Sequence, residues 1–488
     1  MNRPNILFVV LDATRADVCS CYGEEQPTTP ALDSLAENGI LFEQAISPAP
    51  WTLPALASVF TGLYPSQLGI YGSRALNDKH PTLAQVLEQS GYTTFGITSN
   101  SWLSAEFGLQ RGLGSVHKQW QIWQDEHEVN KLVLLQKSQH STWIDTVVRE
   151  LSRGNIIKNL LNGAFHHLFA YRRDLGASRI LRPLTRWIES QETPWFALIH
   201  YLEAHLEYKP PHRWADRFTS DRGRAKVWRS SDQWRAAWRH IAGVELLSEA
   251  DLLTWQELYK AEVAYADYHL SLLLDWLRST DRLHNTLVIV VADHGENLGE
   301  HRLLNHQYCV YDTLLRVPLV MSCPALLPVN ERVPYQVQTL DLFKTVLDVI
   351  DVAAPASASM NMLAGSEARP FTVAEYGTPH PPHSRYLAQY GLEKKDLARF
   401  ERGLTAIRTR THKLIVGTDS SVELYAWPDD PFEEQDLTDQ LPKLASELRA
   451  TLGCWQEEIG ATSTSALEGD MQMDPATAAR LEALGYLG

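Results

Sequence analysis

The chain has 488 residues, 44% apolar and 21% charged, ample for a large buried core in one α/β domain with attachments or in two to three domains. Its 44 basic residues against 59 acidic ones give a net charge of −15, which excludes the basic face of a nucleic-acid binder but not an anionic ligand, since one bound cation inverts a pocket's field. No stretch approaches the ~20 apolar residues of a membrane helix, and Cys19, Cys21, Cys309, Cys323 and Cys454 fit neither a disulfide framework nor a zinc knuckle, so a reduced, cytoplasmic protein without membrane insertion is expected.

The first apolar run, "NILFVVL" (5–11), is too short for a signal peptide and ends on Asp12. "TTPALDSLAENG" follows as a helix with Thr29 as cap, Pro30 at the first helical position and Gly39 as stop. "WTLPALASVFTG" places Thr52 just before a second helix, where a hydroxyl is either an N-cap or a group activated by the helix N-terminus. "HPTLAQVLEQSG" repeats the helix scheme with Pro81 and Gly91. Further strands are expected at "TTFGIT" (93–98), "WFALIHYL" (195–202), "TLVIVVA" (286–292) and "VPLVMS" (317–322). Their continuous hydrophobicity predicts strands covered on both faces, hence a mostly parallel sheet between helices.

Residues 115–190 and 207–258 break this rhythm and read as helical insertions. The second holds Trp228, Trp234 and Trp238 among Lys and Arg, a pattern for an amphipathic helix pair padding the core or for a lid over a leaving group. Beyond about residue 366, "FTVAEYG", "LTAIRTRTHKLIVG" and "SVELYAW" predict antiparallel strands before a helix near 440–458, a small α+β appendage. The expected domains are therefore 1–365 and 366–488. The acidic stretch "PDDPFEEQDLTDQ" is expected to be a solvated loop.

Three strands end on polar residues: Asp12, Glu203 with His205, and Asp293–His294–Gly295–Glu296. In open α/β sheets ligands bind at the carboxyl ends of strands, so these groups should meet on one rim. Asp12, Asp293 and His294 would make a compact site for one divalent ion, Mn, Ca, Zn or Mg. His166–His167, His380 and His383 have no acid at ligand spacing and read as surface, and His301 reads as structural.

These segments together resemble the sulfatases of the alkaline phosphatase superfamily. The resemblance is carried by "PNILFVVLDATRADVCSCYG", by "APWTLPALASVFTGLYPSQLGIYG", by "HYLEAHLEYKPP" and most specifically by "VIVVADHGENLGEHRLLNHQYCVYDTLLRVPLV". It implies an alkaline-phosphatase-like core with a C-terminal subdomain. It also implies metal ligation by Asp12, Thr52, Asp293 and His294, with Thr52 as nucleophile. His205 and His306 fall at substrate-side positions, for binding ester oxygens and protonating the leaving group.

The departures shape the expected chemistry. The family's C/S-x-P-x-R pattern, whose first residue is oxidised to formylglycine, here reads Thr52-Leu53-Pro54-Ala55-Leu56. A threonine cannot give that aldehyde. Ala13 replaces a second acid, and Ser99 and Asn100 stand where the family has G-K-x-H, offering substrate contacts instead. An unmodified Thr nucleophile is similar to the phosphodiesterase branch, whose second metal site finds only Asp267 and His269 at the wrong spacing. One metal is expected. The reading is a metal-dependent hydrolase or transferase for a small sulfate, phosphate or phosphonate ester. The alternative is an inactive member that binds an anionic ligand or a partner.

Overall fold

A computed structural model of the chain describes residues 3–70, 75–119, 174–192, 194–363, 369–377, 387 and 390–460. Strands β1 (Asn5–Leu11), β2 (Ile40–Ile46), β3 (Thr93–Thr98), β4 (Ser115–Lys118), β5 (Trp195–Tyr201) and β6 (Thr286–Val291) belong to one nine-stranded sheet. Its order is β11-β2-β10-β6-β1-β5-β3-β4, with β10 (Leu319–Ser322) and β11 (Glu331–Gln338) on one side and β9 (Arg316–Val317) paired to β2. A two-residue hairpin, β7 (Asn297–Leu298) with β8 (Leu304–Asn305), stands apart.

The centre of the sheet is parallel: β1 pairs with β5 and β6, and β3 with β4 and β5. Every residue of β1, β5 and β6 is buried, as continuous apolar runs demand when helices cover both faces. The predicted run 317–322 is real but antiparallel to β6 and β2. β2, β4 and β11 escape the sequence reading because each mixes polar residues into a short run.

Register decides what shares the rim. Val10 lies opposite both His200 and Val291. Side chains alternate along a strand, so Asp12 and Asp293, two residues beyond Val10 and Val291, project on the face that carries His200. The ladder continues past β1, where Asp12 N–H donates to Tyr201 O at 2.9 Å.

Two short helices complete the setting. Helix α1 (Pro30–Glu37) begins with Pro30, as expected, but Thr29 does not cap it. Asp267, from the long helix Glu249–Ser279, accepts from Ala31 N and Leu32 N at 2.8 and 3.0 Å. This tertiary cap occupies the one acid considered for a second metal. Pro81, expected at the first helical position as Pro30 is, instead precedes the cap of its helix, Thr82, whose hydroxyl accepts from Gln85 N.

Helix α2 (Thr52–Thr61) is buried along its whole length. Phe60 packs edge-on against Phe8 of β1, with ring centroids 6.0 Å apart, which seats the helix on the sheet. Gly62 ends it at φ 68°, where a Cβ would meet Ser359 Oγ at 2.7 Å.

The C-terminal sheet, β12 (Thr372–Tyr376), β13 (Leu404–Arg408), β14 (His412–Gly417) and β15 (Val422–Ala426), is antiparallel throughout and packs on the helix Pro442–Glu458. The boundary expected near 366 falls within 364–368, outside the described residues, as do His166–His167, His380, His383 and most of the first insertion. The second insertion forms helices His212–Phe218, Arg222–Ser230 and Gln233–Ile241 before the long helix. Trp238 is buried against Tyr308, half-buried Trp228 packs on Trp255, and half-buried Trp234 lies 6.1 Å from the His205 ring. The acidic stretch is not wholly solvated: Glu433 is buried and its carboxylate is 2.7 Å from Lys413 Nζ.

Candidate active site

Asp12, Thr52, Asp293 and His294 converge at the strand rim, all fully buried. Thr52 is the first residue inside α2, with Trp51 at the cap position. Its Oγ1 lies 3.2 Å from His294 Nε2. His294 Nδ1 donates to Gly295 O at 2.8 Å, which puts the lone pair of the ring on Nε2, facing Thr52. His294 Nε2 is also 3.6 Å from both Asp12 Oδ1 and Asp293 Oδ2.

The carboxylates are half satisfied. Asp12 Oδ2 accepts from Asn100 Nδ2 at 2.7 Å. Asp293 Oδ1 accepts from Ala13 N and His294 N at 3.3 and 2.9 Å. Asp12 Oδ1 and Asp293 Oδ2 have no hydrogen bond among the described residues. A buried carboxylate oxygen left without a partner is expensive, and a cation is the partner that chemistry of this kind takes. Burial and the neighbouring charge of Asp293 push Asp12 well above the usual carboxylate range, while His294 and His200 outweigh burial to hold Asp293 low. Two acids crowded in this way ionise together only beside positive charge. The donor set therefore fits one divalent ion.

His205 and His306 lie beside this group. Their ring centroids are 4.9 Å apart, and His306 is 4.4 Å from His294. His205 Nδ1 donates to Leu206 O at 2.7 Å; burial, then His306, lowers its pKa to about 3, so the imidazole is neutral. His306 Nδ1 is 2.8 Å from Glu296 Oε2, and Tyr208 OH donates to Glu296 Oε1 at 2.6 Å. Burial raises Glu296 to about 7.

The other expected residues have partners within the chain. Asn100 is spent on Asp12 through Nδ2 and on Trp102 N through Oδ1. Ser99 is buried against Gly176, where a Cβ would fall 2.1 Å from its Oγ. Glu203 accepts from Ala177 N and Leu202 N and so braces a turn. His301 stacks on Tyr311 at 3.9 Å and bonds Phe432 O. Leu56, at the family's Arg position, is buried.

Two residues escaped the sequence reading. Glu296 was visible beside Asp293, but its hold on His306 is tertiary. His200 sits inside an otherwise apolar strand, and only its register shows that it shares a face with Asp12. Its Nε2 is 3.4 Å from Asp12 Oδ2 and 4.0 Å from Asp293 Oδ2.

A protein-family model described as Sulfatase matches residues 4–352, and one described as N-sulphoglucosamine sulphohydrolase, C-terminal, matches residues 299–457. Among curated proteins, the uncharacterized sulfatase YidJ of Escherichia coli is 25% identical over 451 residues, 90% of this chain and 84% of its own. An N-acetylglucosamine-6-O-sulfatase of Bacteroides thetaiotaomicron is 24% identical over 89% of this chain and 82% of its own. The crystal structure of a phosphonate monoester hydrolase of Agrobacterium radiobacter superposes with a TM-score of 0.68 at 19% identity, covering 94% of this chain and 96% of that one.

Proposed function

The chain belongs to the sulfatase family, and from that premise we propose that it is a metal-dependent ester hydrolase with unmodified Thr52 as nucleophile, acting on phosphonate or phosphate esters ahead of sulfate esters. One observation carries the reading: Thr52 Oγ1 stands 3.2 Å from His294 Nε2, in the first turn of α2, beside two carboxylate oxygens that have no hydrogen bond among the described residues.

Asp12, Asp293, His294 and Thr52 would hold the ion. When bound, it supplies the positive charge that lowers the hydroxyl pKa and offsets the charge of the ester. Thr52 opens α2, and the positive end of the helix dipole there favours an incoming anion. Thr52 Oγ loses its proton to solvent and attacks phosphorus, the P–O bond to the leaving group breaks, and His306 gives that oxygen a proton. Glu296, held by Tyr208, orients His306 through Nδ1 and so aims Nε2. His205 is neutral in the free protein. The charge of an arriving ester favours its protonated form, which then donates to a non-bridging oxygen. Asn100 acts through Asp12 and is a positioning residue.

Threonine also bears on substrate. Formylglycine hydrate has a second hydroxyl that expels sulfate, and Thr52 has none. Water must therefore attack the covalent ester and break the Thr52 Oγ–P bond, a reaction well supported at phosphorus. Phosphonate monoester hydrolases and sulfatases both share this fold, and the unmodified threonine is what favours phosphorus. The test is turnover of p-nitrophenyl phosphate, phenylphosphonate and sulfate with Mn, Zn, Ca or Mg, for wild type and Thr52→Ala. Mass spectrometry of the quenched enzyme should find phosphate on Thr52. Equal turnover by Thr52→Ala would refute the assignment.

A further inference from the structure

We propose that His200 is a further ligand of the rim cation, which makes the donor set two carboxylates, two imidazoles and the Thr52 hydroxyl and selects Mn, Fe or Zn over Ca and Mg. The inference rests on the reading that the rim holds a metal.

His200 is fully buried at the penultimate position of β5, at the carboxyl end of a strand otherwise built to fill a core. A neutral imidazole has one proton to give and one lone pair to share, yet neither ring nitrogen of His200 has a hydrogen bond among the described residues. The strand register aims the ring at the Asp12–Asp293 face. Carboxylate oxygens of Asp12 and Asp293 meet it there, at 3.4 and 4.0 Å from Nε2. Those separations are too long for charge-assisted hydrogen bonds, which run at ~2.8 Å. They suit donors gathered round one ion. With metal–nitrogen and metal–oxygen bonds of ~2.1 Å, adjacent donors lie ~3.0 Å apart and opposite ones ~4.2 Å apart. His294 Nε2, at 3.6 Å from each carboxylate, falls in the same window. Asp12, His200 and Asp293 each offer a ligand atom within 4.8 Å of the others.

Position 13 gives the complementary fact. Ala13 has no side-chain donor, and its backbone is committed: N–H to Asp293 Oδ1 and C=O to Tyr259 OH. The loop after β1 therefore adds only Asp12 to the set. His200, reaching up from the neighbouring strand, supplies the missing donor as nitrogen rather than oxygen. Imidazole favours Mn, Fe and Zn, whereas all-oxygen sets favour Ca and Mg.

Pulsed EPR of Mn(II)-loaded wild type should count two coordinated imidazole nitrogens, and His200→Gln one. Competition titrations should show His200→Gln losing at least ~10-fold in Mn and Zn affinity with little change for Ca. Metal-loaded wild type with a single imidazole, or unchanged Mn affinity in His200→Gln, overturns the assignment and leaves the rim site standing. Wild type that binds no divalent ion at all overturns both. The wild-type EPR count decides the matter even if the variant does not fold.

Discussion

At the junction with the C-terminal sheet, Asp312 is buried between Arg408 Nε at 2.9 Å and Lys413 Nζ at 2.7 Å, and Lys413 reaches on to Glu433. At the strand rim, Asp12 and Asp293 are just as buried, yet each keeps one oxygen without a hydrogen bond among the described residues. The two regions bury the same kind of charge to opposite ends. The junction closes its charges on one another and ties β13 and β14 to the loop after His306. The rim leaves its charges open, which destabilises the metal-free fold and keeps donors for something that comes from outside.

The comparison breaks first at the rim. Asp293→Asn should lower kcat by ~10⁴-fold or more in the best metal and ester, as loss of a group acting in a catalytic unit does, without lowering the melting temperature of the metal-free protein. A variant that unfolds instead would make Asp293 a structural acid like Asp312. The reciprocal change, Asp312→Asn, should cost ~3–5 kcal/mol in urea unfolding, because Arg408 and Lys413 are left buried and uncompensated. The kcat of its folded fraction should stay at the wild-type value.

The pH dependence sharpens the contrast through its sign. Glu296 titrates near 4.5 unfolded and about 7 folded, so the folded state binds more protons in between. Its contribution to stability is full below 4.5 and is lost as pH rises towards 7, by up to ~3 kcal/mol. Glu296→Gln should flatten that slope in metal-free protein, read from unfolding free energies at pH 5 and 7. Asp312 is held below its ordinary value by Arg408 and Lys413, which outweigh burial, so its contribution is present above pH 3.8 and lost on further acidification. The smallest effect belongs to Asp267. Asp267→Asn weakens the cap on α1 and should cost ~1 kcal/mol while metal content stays at the wild-type value. A fall in bound metal would make it a ligand.

How much of this was legible depends on the range of each signal. The ends of β1 and β6 announced Asp12, Asp293 and His294, because a strand that stops on an acid is a local pattern. The helix beginning at Pro30 was equally plain. The identity of its cap was not, since Asp267 arrives from a helix far away in the chain. Thr52 presented the same ambiguity in reverse: a hydroxyl before a helix reads as a cap, and here it turns to His294. Asn100 read as a contact for substrate and is bound to Asp12.

The sequence by itself determined the central strands β1, β3, β5 and β6, their covering helices, the antiparallel appendage and the family, because periodicity and motif spacing operate within a dozen residues. Which side chains face one another was decided by the register of β1 between β5 and β6. A shift of one residue along either neighbour would turn His200 or Asp293 to the other face of the sheet, and nothing in the local pattern of either strand records that alignment.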